Sequence, residues 1–271
     1  MAEKAPRRRR ALITGASSGI GRELARIFAI KGYDVAISAR RVDLLDGLAE
    51  QIRAAVAGAR VVRLPADLLD PAAPGELFAA LRRRRFPVDV LVNNAGTTDV
   101  EPFHRASEDR LLDMLQLNVT SVTALTRLFL PGMVRRGHGR LLNVASLAAF
   151  QPVPSMALYA ATKAFVLSLT EALSEELRGT GVTATALCPG LTDTEMVRGA
   201  LAEATDVDKL PSFFVMDAAA VATAGYHACM SGKVVEVPGI ANEWAATWVR
   251  LQPRWAVRAL GGAAARSLPR D

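Results

Sequence analysis

A glycine-rich turn between a buried strand and a helix is the feature that most restricts the fold of this chain. The apolar run Ala11–Thr14 is followed by the turn Gly15–Gly21, and the residues after it have helical periodicity. Gly15 can adopt a positive φ in a tight turn, and Gly19 and Gly21 allow close backbone approach. The N-terminus of the helix offers free N–H groups to phosphates. Strand, turn and helix in this order predict a dinucleotide-binding unit, although the spacing is G-x-x-x-G-x-G rather than G-x-G-x-x-G.

A tyrosine and a lysine four residues apart form a second candidate site. On a helix, Tyr159 and Lys163 share one face, so the phenol and the ammonium can point into one cavity. A free tyrosine titrates near pH 10, and a neighbouring ammonium favours the phenolate. Lowering the tyrosine pKa by two to three units takes about 3 to 4 kcal/mol and would make this side chain useful in acid–base chemistry. Alone, the pattern also fits an ordinary surface pair.

Short apolar runs alternate with helical stretches along the chain. After the run at 11–14, the strand-like segments are Asp34–Ser38, Val61–Leu64, Val88–Val92, Leu141–Val144, Thr183–Leu187 and Val234–Val237. The helical segments include Leu44–Val56, Pro74–Arg85, Asp109–Arg135 and Ala157–Leu177. Near-continuous apolar strands are typical of a parallel sheet covered on both faces. The pattern predicts an α/β fold, a single doubly wound (Rossmann) parallel sheet of about seven strands with helices on both faces.

Several short motifs occur in a fixed order along the chain. They are Thr14-Gly15-x-x-x-Gly19-Ile20-Gly21, Asn93-Asn94-Ala95-Gly96, Asn118, Ser146, Tyr159-x-x-x-Lys163 and Pro189-Gly190-x-x-x-Thr194. Their order and spacing resemble those of the short-chain dehydrogenase/reductase family from about residue 10 to residue 237. We therefore expect one Rossmann-fold domain over residues 1–271, with a core at about 10–237 and a helical tail at about 238–271.

The resemblance implies a role for each motif. Tyr159 would exchange a proton with the substrate oxygen while hydride moves at a nicotinamide, and Lys163 would lower the tyrosine pKa and hold the nicotinamide ribose. Ser146 would hydrogen-bond the carbonyl, and Asn118 would position a water that connects Lys163 to solvent. The expected cofactor contacts are Gly15, Ser17, Ser18, Gly19, Ile20, Gly21, Arg40, Arg41, Asp67, Asn93, Ala95, Gly96, Tyr159, Lys163, Pro189, Gly190 and Thr194.

The end of the second strand indicates which dinucleotide is used. An acidic side chain there would bind the ribose 2′-hydroxyl of NAD, but Ala39 occupies that place, and Arg40 and Arg41 follow it. A guanidinium can hold a 2′-phosphate with two hydrogen bonds. The sequence therefore favours NADP(H). The alternative is that both arginines belong to a solvated loop, which would leave an NAD-dependent alcohol dehydrogenase.

Two apolar segments are candidates for the walls of a substrate site. They are Leu147–Met156 and Leu191–Met216, with Arg198 or Lys209 as the only candidate charged anchors. This composition favours a hydrophobic ketone or an acyl-chain carbonyl, and hence a carbonyl reductase of the EC 1.1.1 class. Alternatively, these segments only pack a lid. A function of another class also stays open, a non-catalytic protein that binds and senses NADP(H).

Composition excludes several other classes. The chain is 51% hydrophobic, which is incompatible with disorder, yet no apolar run reaches the ~18 residues of a bilayer span. Two cysteines give no disulfide framework, so we expect a cytoplasmic protein. Three scattered histidines predict no metal site. The net charge of +6 comes with arginine runs outside any nucleic-acid module, so no nucleic acid is expected. Family resemblance suggests a homodimer or homotetramer.

The last segment of the chain departs from the common family pattern. It contains all three tryptophans, Trp244, Trp248 and Trp255, together with five arginines. Pro253 should break a helix running through it. Three interpretations remain for this tail. It packs over the substrate cleft or a partner subunit, it lies on a membrane surface with its arginines toward anionic headgroups, or it is a loosely held end.

Overall fold

A computed structural model describes residues 8–201 and 215–266 of the chain. Within them, seven parallel strands form one sheet in the order β3-β2-β1-β4-β5-β6-β7. The strands are β1 Arg10–Thr14, β2 Asp34–Ala39, β3 Val61–Pro65, β4 Val90–Asn93, β5 Gly139–Val144, β6 Val182–Leu187 and β7 Val235–Glu236. The predicted doubly wound parallel sheet is therefore confirmed.

Ten helices surround this sheet in the described part of the chain. They are α1 Gly19–Ile30, α2 Val42–Ala55, α3 Ala73–Arg83, α4 Glu108–Leu115, α5 Ser121–Arg136, α6 Ala157–Glu176, α7 Glu195–Leu201, α8 Ala218–Ser231, α9 Ile240–Leu251 and α10 Arg254–Arg266. Short 3-10 and π segments at Leu147–Phe150 and Gln116–Thr120 complete the helical structure.

The two faces of the sheet are covered by different helices. Alternate strand residues such as Ile13 and Ile37 pack with α1, α2 and α8 on one face, where Phe28 meets Tyr33 and Tyr226 edge to face. Residues of the opposite parity, such as Leu12 and Leu91, pack with α3 and α5 on the other face. Since successive strand side chains point to opposite faces, strands buried on both sides carry near-continuous apolar runs, as in Ala11–Ile13 of β1 and Val90–Val92 of β4.

Strand order places the functional motifs at one edge of the sheet. The chain winds from β1 outward to β3, then crosses back to place β4 on the other side of β1. In such sheets a crevice forms at this reversal, outside the carboxyl ends of the strands. The turn after β1 and the segments after β4, β5 and β6 all meet there.

The predicted helix Asp109–Arg135 is interrupted by a π segment at Gln116–Thr120, between α4 and α5. One extra residue in a helical turn changes which side chains face inward, and such segments often occur at functional sites. Here Asn118 becomes a buried polar side chain, 1% exposed. The uninterrupted helix was therefore wrong at this point, since apolar periodicity does not detect a single inserted residue.

The tail forms two helices, α9 and α10, separated at Gln252 and Pro253 as the proline predicted. The inner face of α9 packs against the chain itself. Arg250 Nη2 donates to Glu171 Oε1 at 3.1 Å, and the Arg250 guanidinium lies 5.3 Å from the Phe150 ring centroid. Among the described residues, no helix has the length and hydropathy needed to cross a bilayer.

Candidate active site

The glycine-rich turn is fixed by hydrogen bonds to the segment after β4. The Thr14 hydroxyl accepts the backbone N–H groups of Asn94 and Ala95 at 3.0 and 3.1 Å. The Asn94 amide in turn donates to the carbonyls of Thr14 and Gly15. Asn94 was not among the predicted site residues, although it stands beside Asn93 in the same motif. Its amide holds the turn in place from the neighbouring strand.

Glycine is required at two positions of this turn. Gly15 and Gly19 have φ values of +65° and +53°, in the left-handed region that disfavours a side chain. Ser18, at the N-cap of α1, makes no side-chain capping bond. The first N–H groups of α1 are therefore available at the cavity surface, which is the arrangement that binds phosphate groups.

A cavity of about 480 Å³ extends along this edge of the sheet. It is lined by most of the predicted cofactor and catalytic residues, namely Gly15, Ser17, Ser18, Gly19, Ile20, Arg40, Arg41, Asp67, Ala95, Gly96, Ser146, Tyr159, Lys163, Pro189, Gly190 and Thr194. The fold thus brings residues from seven separate segments of the chain to one surface. Gly21, Asn93 and Asn118 are not on that surface.

Asn93 and Gly21 lie behind the cavity wall. The Asn93 amide donates to Thr126 Oγ1 at 3.1 Å and to Asn143 Oδ1 at 2.8 Å inside the sheet. The prediction that Asn93 lines the cofactor site is therefore wrong for its side chain. Because side chains alternate along β4, Asn93 points into the core and Asn94 takes the position beside the turn. Gly21 leaves room for the Asn94 amide and for the Gly15 carbonyl.

The two arginines after β2 differ in their surroundings. Arg41 Nη2 contacts Glu195 Oε2 at 2.7 Å and Ser17 Oγ at 3.3 Å, so this guanidinium already has an acidic partner. Arg40 lines the same cavity and is exposed. Its guanidinium has no hydrogen-bond or ion-pair partner within residues 8–201 and 215–266. Among the described residues, Arg40 therefore presents a guanidinium without a partner, directly after Ala39, which stands where an NAD site would carry an acid.

Tyr159 is buried at the cavity wall, and its environment differs from the expected one. Burial raises the pKa of its phenol, and a side-chain hydrogen bond with Ser146 acts in the opposite direction. Lys163 Nζ lies 5.7 Å from the centroid of the tyrosine ring. The expected lowering of the tyrosine pKa by Lys163 is therefore not found, because loss of hydration outweighs the hydrogen bond with Ser146.

Lys163 is a buried cation at the floor of the cavity. Its ammonium donates to the Val144 carbonyl at 2.9 Å. Burial lowers its pKa to about 8, and the nearby Cys188 acts weakly in the other direction. A lysine with this pKa is mostly charged at pH 7 and can still lose its proton slightly above neutrality.

Asn118 fixes the backbone opposite Lys163. Its amide oxygen accepts from the Thr97 N–H, and its amide nitrogen donates to the Thr97 carbonyl and to Thr162 Oγ1, all within 2.9 to 3.1 Å. A Cβ on Gly96 would lie 3.1 Å from Asn118 Oδ1 and 3.4 Å from Lys163 Nζ. The missing side chain of Gly96 therefore leaves a gap between the asparagine and the lysine.

Only part of the predicted substrate walls lies at this cavity. Met196 and Val197 line it, whereas Ala149–Pro154 lines a separate cavity of about 630 Å³ beneath α9 and α10. Residues 202–214 of the second predicted wall, with Lys209, lie outside the described residues. Arg198 forms a two-point ion pair with Asp193, so it is not a free anchor.

Comparison with known proteins agrees with this geometry. A family model described as short chain dehydrogenase matches residues 9–204. The chain belongs to the short-chain dehydrogenase family. Members with similar sequences include a short chain dehydrogenase of Pseudocercospora fijiensis, 37% identical over 190 residues, which are 69% of this chain and 60% of that protein. A putative ketoacyl reductase of Streptomyces coelicolor is 37% identical over 199 residues, covering 73% and 76% of the two chains.

Solved structures of the family include the tail region in the match. A short-chain dehydrogenase from Sphingobium yanoikuyae in complex with NADPH superimposes with a TM-score of 0.79 at 31% identity. The match covers 97% of this chain and 96% of that one. The match with this structure therefore extends beyond the seven-stranded core.

No cluster of three or more metal-ligating side chains occurs among the residues that the structure describes here.

Proposed function

We propose that this short-chain dehydrogenase is an NADP(H)-dependent carbonyl reductase that transfers hydride between a nicotinamide and a hydrophobic ketone or acyl-chain carbonyl. The observation that carries the proposal is a single cavity lined both by the glycine turn with Arg40 and by Tyr159, Ser146 and Lys163. A dinucleotide held at the first set would present its reactive ring to the second. When bound, the cofactor supplies the hydride.

The chain's own residues supply the proton and the charge stabilisation. The Tyr159 phenol, kept protonated by burial, donates its proton to the substrate oxygen. The Ser146 hydroxyl hydrogen-bonds the same oxygen as negative charge develops on it. Lys163 keeps a positive charge beside the phenolate that remains. That charge makes proton donation by the tyrosine easier.

The gap left by Gly96 suggests how the proton is replaced. It lies between the Lys163 ammonium and the Asn118 amide oxygen, two groups that can hydrogen-bond a water molecule. A water there would connect the lysine with the solvent side of the cavity. In this proposal Asn118 positions that water, as the family resemblance implies.

Arg40 supports NADP(H) as the cofactor. Its guanidinium is free to bind a 2′-phosphate, whereas the Arg41 guanidinium is engaged by Glu195. The structural relative from Sphingobium yanoikuyae was solved with NADPH. The glycine turn and the uncapped end of α1 fit a pyrophosphate. NADP(H) is therefore favoured over the NAD-dependent alcohol dehydrogenase.

Arg40→Ala should weaken NADPH binding by roughly 10- to 100-fold, because hydrogen bonds to charged groups contribute about 1.5 to 3 kcal/mol. NADH has no 2′-phosphate, so its affinity should stay unchanged. Titration of both cofactors by calorimetry measures the ratio directly. Arg53→Ala serves as a control on the neighbouring helix α2, where the arginine contacts Val61 and not the cavity. Equal losses for NADPH and NADH would contradict the role of Arg40.

The apolar lining supports a hydrophobic substrate. Met196, Val197 and Leu117 line the cavity, and the Streptomyces coelicolor relative carries the name of a putative ketoacyl reductase. NADPH oxidation with methyl ketones of increasing chain length tests the proposal. We expect kcat/KM to rise with each added methylene by about fourfold, since each buried CH₂ contributes about 0.8 kcal/mol. A flat series would reject a hydrophobic substrate and leave the reductase chemistry intact.

Two further expectations belong to this proposal. We expect the protein to act in the cytoplasm as a homodimer or homotetramer, as the family resemblance suggests. The alternative of a non-catalytic NADP(H) sensor predicts cofactor binding without turnover. Binding by calorimetry combined with an absence of NADPH oxidation across a carbonyl panel would favour the sensor.

A further inference from the structure

The tail carries a row of exposed apolar side chains that the proposed reaction does not use. They are Ile240, Trp244, Trp248, Leu251 and Trp255, here called the outer stripe, and each is between 48% and 77% exposed. The first four recur at spacings of four, four and three on α9, so they share one face of that helix. Large apolar groups at this exposure are expected to have a partner surface.

The outer stripe is not the face that holds the tail to the protein. Ala246 and Val257 are buried, and Asn242 Nδ2 donates to the Pro238 carbonyl at 2.9 Å. Arg250 binds Glu171 from the same side of the structure. The inner face is therefore already packed, so the helices are positioned and the outer stripe faces away from the contacts that position them.

Charge next to the outer stripe indicates the kind of partner. Arg254 and Arg258 line the cavity beneath the two helices and lie on α10 between the buried Val257 and the exposed Trp255. Both are exposed and have no hydrogen-bond or ion-pair partner among the described residues. Arg258 lies three residues after Trp255, so the two side chains are neighbours on α10. Residues 238–271 contain five arginines and two acidic residues. A partner for this surface should combine an apolar layer with negative charge.

We propose that the outer stripe docks on an anionic phospholipid surface, with the tryptophans at the level of the headgroups and Arg254 and Arg258 on lipid phosphates. Tryptophan favours this interface because its ring is apolar and its N–H is polar. Amphipathic helices with arginine beside such residues bind anionic lipids in the plane of the surface. A second copy fits less well, because the outer stripe contains no acidic side chain that could pair with Arg254 and Arg258 of another subunit.

Intrinsic fluorescence offers a direct test, because every tryptophan of the chain is in the tail. The full-length protein is mixed with vesicles of phosphatidylcholine and phosphatidylglycerol, or of phosphatidylcholine alone. With the mixed vesicles we expect a blue shift of the emission and co-sedimentation of the protein. Neither should occur to the same extent with phosphatidylcholine alone. Absence of both signals with the mixed vesicles would overturn the proposal.

Two sets of variants separate the apolar and the charged contributions. Trp244→Gln/Trp248→Gln/Trp255→Gln should weaken partitioning roughly 1,000-fold, since burial of each large apolar side chain contributes about tenfold. Arg254→Gln/Arg258→Gln should weaken it roughly 25-fold, about fivefold per arginine near an anionic surface. Sedimentation measures both, because the triple variant has no tryptophan signal.

Matched controls change the same residue types elsewhere. Arg83→Gln/Arg135→Gln removes two exposed arginines from α3 and α5, and Ile30→Gln removes an exposed apolar side chain from α1. Both should partition like the unaltered protein, and stabilisation by NADPH shows that each variant is folded. Equal losses in the controls would overturn the proposal. The proposal would also be overturned if the unaltered protein did not bind vesicles and the tryptophan variant had a lower oligomeric mass. A second copy of the chain would then cover the stripe.

Discussion

Tyr159→Phe should lower kcat for carbonyl reduction by roughly 10²- to 10⁴-fold while leaving NADPH affinity unchanged. The substitution removes the phenolic hydroxyl, which is the only group of this side chain that takes part in the proposed reaction. The ring stays in place, so the cavity wall keeps its shape. Single-turnover NADPH oxidation measures the chemical step, and calorimetry measures the affinity. A reductase that uses Tyr159 as its acid requires this separation of turnover from binding.

Tyr226→Phe is the matched control for this experiment. Tyr226 is also buried, and burial also raises its pKa, but it lies on α8 beside Phe28 and away from the cavity. Its variant should keep normal turnover. Unchanged turnover in Tyr159→Phe would reject the proposed proton transfer. Loss of NADPH binding together with turnover would show instead that the ring holds the cofactor.

Lys163→Met should abolish most activity and, at pH 7, stabilise the ligand-free protein. Burial lowers the lysine pKa from its ordinary value of 10.5 to about 8, which corresponds to about 3 kcal/mol at 1.36 kcal/mol per pH unit. Methionine avoids this cost but loses the hydrogen bond to the Val144 carbonyl, about 1 kcal/mol. A net gain of about 2 kcal/mol predicts a Tm higher by roughly 4 to 8 °C.

The pH dependence of that gain has a definite sign. Below pH 8, Lys163 is charged in the folded and the unfolded protein, so the burial cost is complete. Between about pH 8 and 10.5, Lys163 is protonated in the unfolded chain and neutral in the folded protein. The stability of the unaltered protein therefore rises with pH relative to that of the variant. The Tm difference should therefore be largest below pH 8 and shrink toward pH 10.5. Calorimetric scans across this range measure it.

Lys233→Met provides the comparison at an exposed lysine. Lys233 pairs with Glu236 at 2.7 Å on the surface, and this pair raises its pKa. Its loss should change stability by about 1 kcal/mol or less, in the destabilising direction. A fall in Tm for Lys163→Met at pH 7 would show that the buried charge is compensated by contacts in the cavity and does not destabilise the fold.

Local sequence patterns were sufficient to predict the sheet and most of the cavity lining. Strands such as β1 and β4 carry continuous apolar runs because both of their faces are covered, and the positive φ of Gly15 and Gly19 matches the residue type. Hydrophobic period and glycine position are properties of a few consecutive residues. They can therefore be recognised in the sequence without knowledge of the tertiary contacts.

Features that depend on tertiary contacts could not be obtained in this way. Which of Asn93 and Asn94 faces the glycine turn depends on the phase of β4 relative to β1. The pKa of Tyr159 depends on how completely the fold removes it from water, and spacing to Lys163 gives no information about that. The partner of Arg41 is Glu195, more than 150 residues away, so the difference between the two arginines emerged only in three dimensions.

At the π segment Gln116–Thr120, the stability of a regular helix conflicts with the position that Asn118 needs in the site. Removing one residue there would let α4 and α5 join as one regular helix with better hydrogen bonding, but every later side chain would turn by about 100° relative to α4. Asn118 would then lose its contacts with Thr97 and Thr162. A search for stabilising deletions would select this change, and a search for activity would remove it. The irregular turn therefore marks a place where selection for thermal stability alone should produce inactive protein.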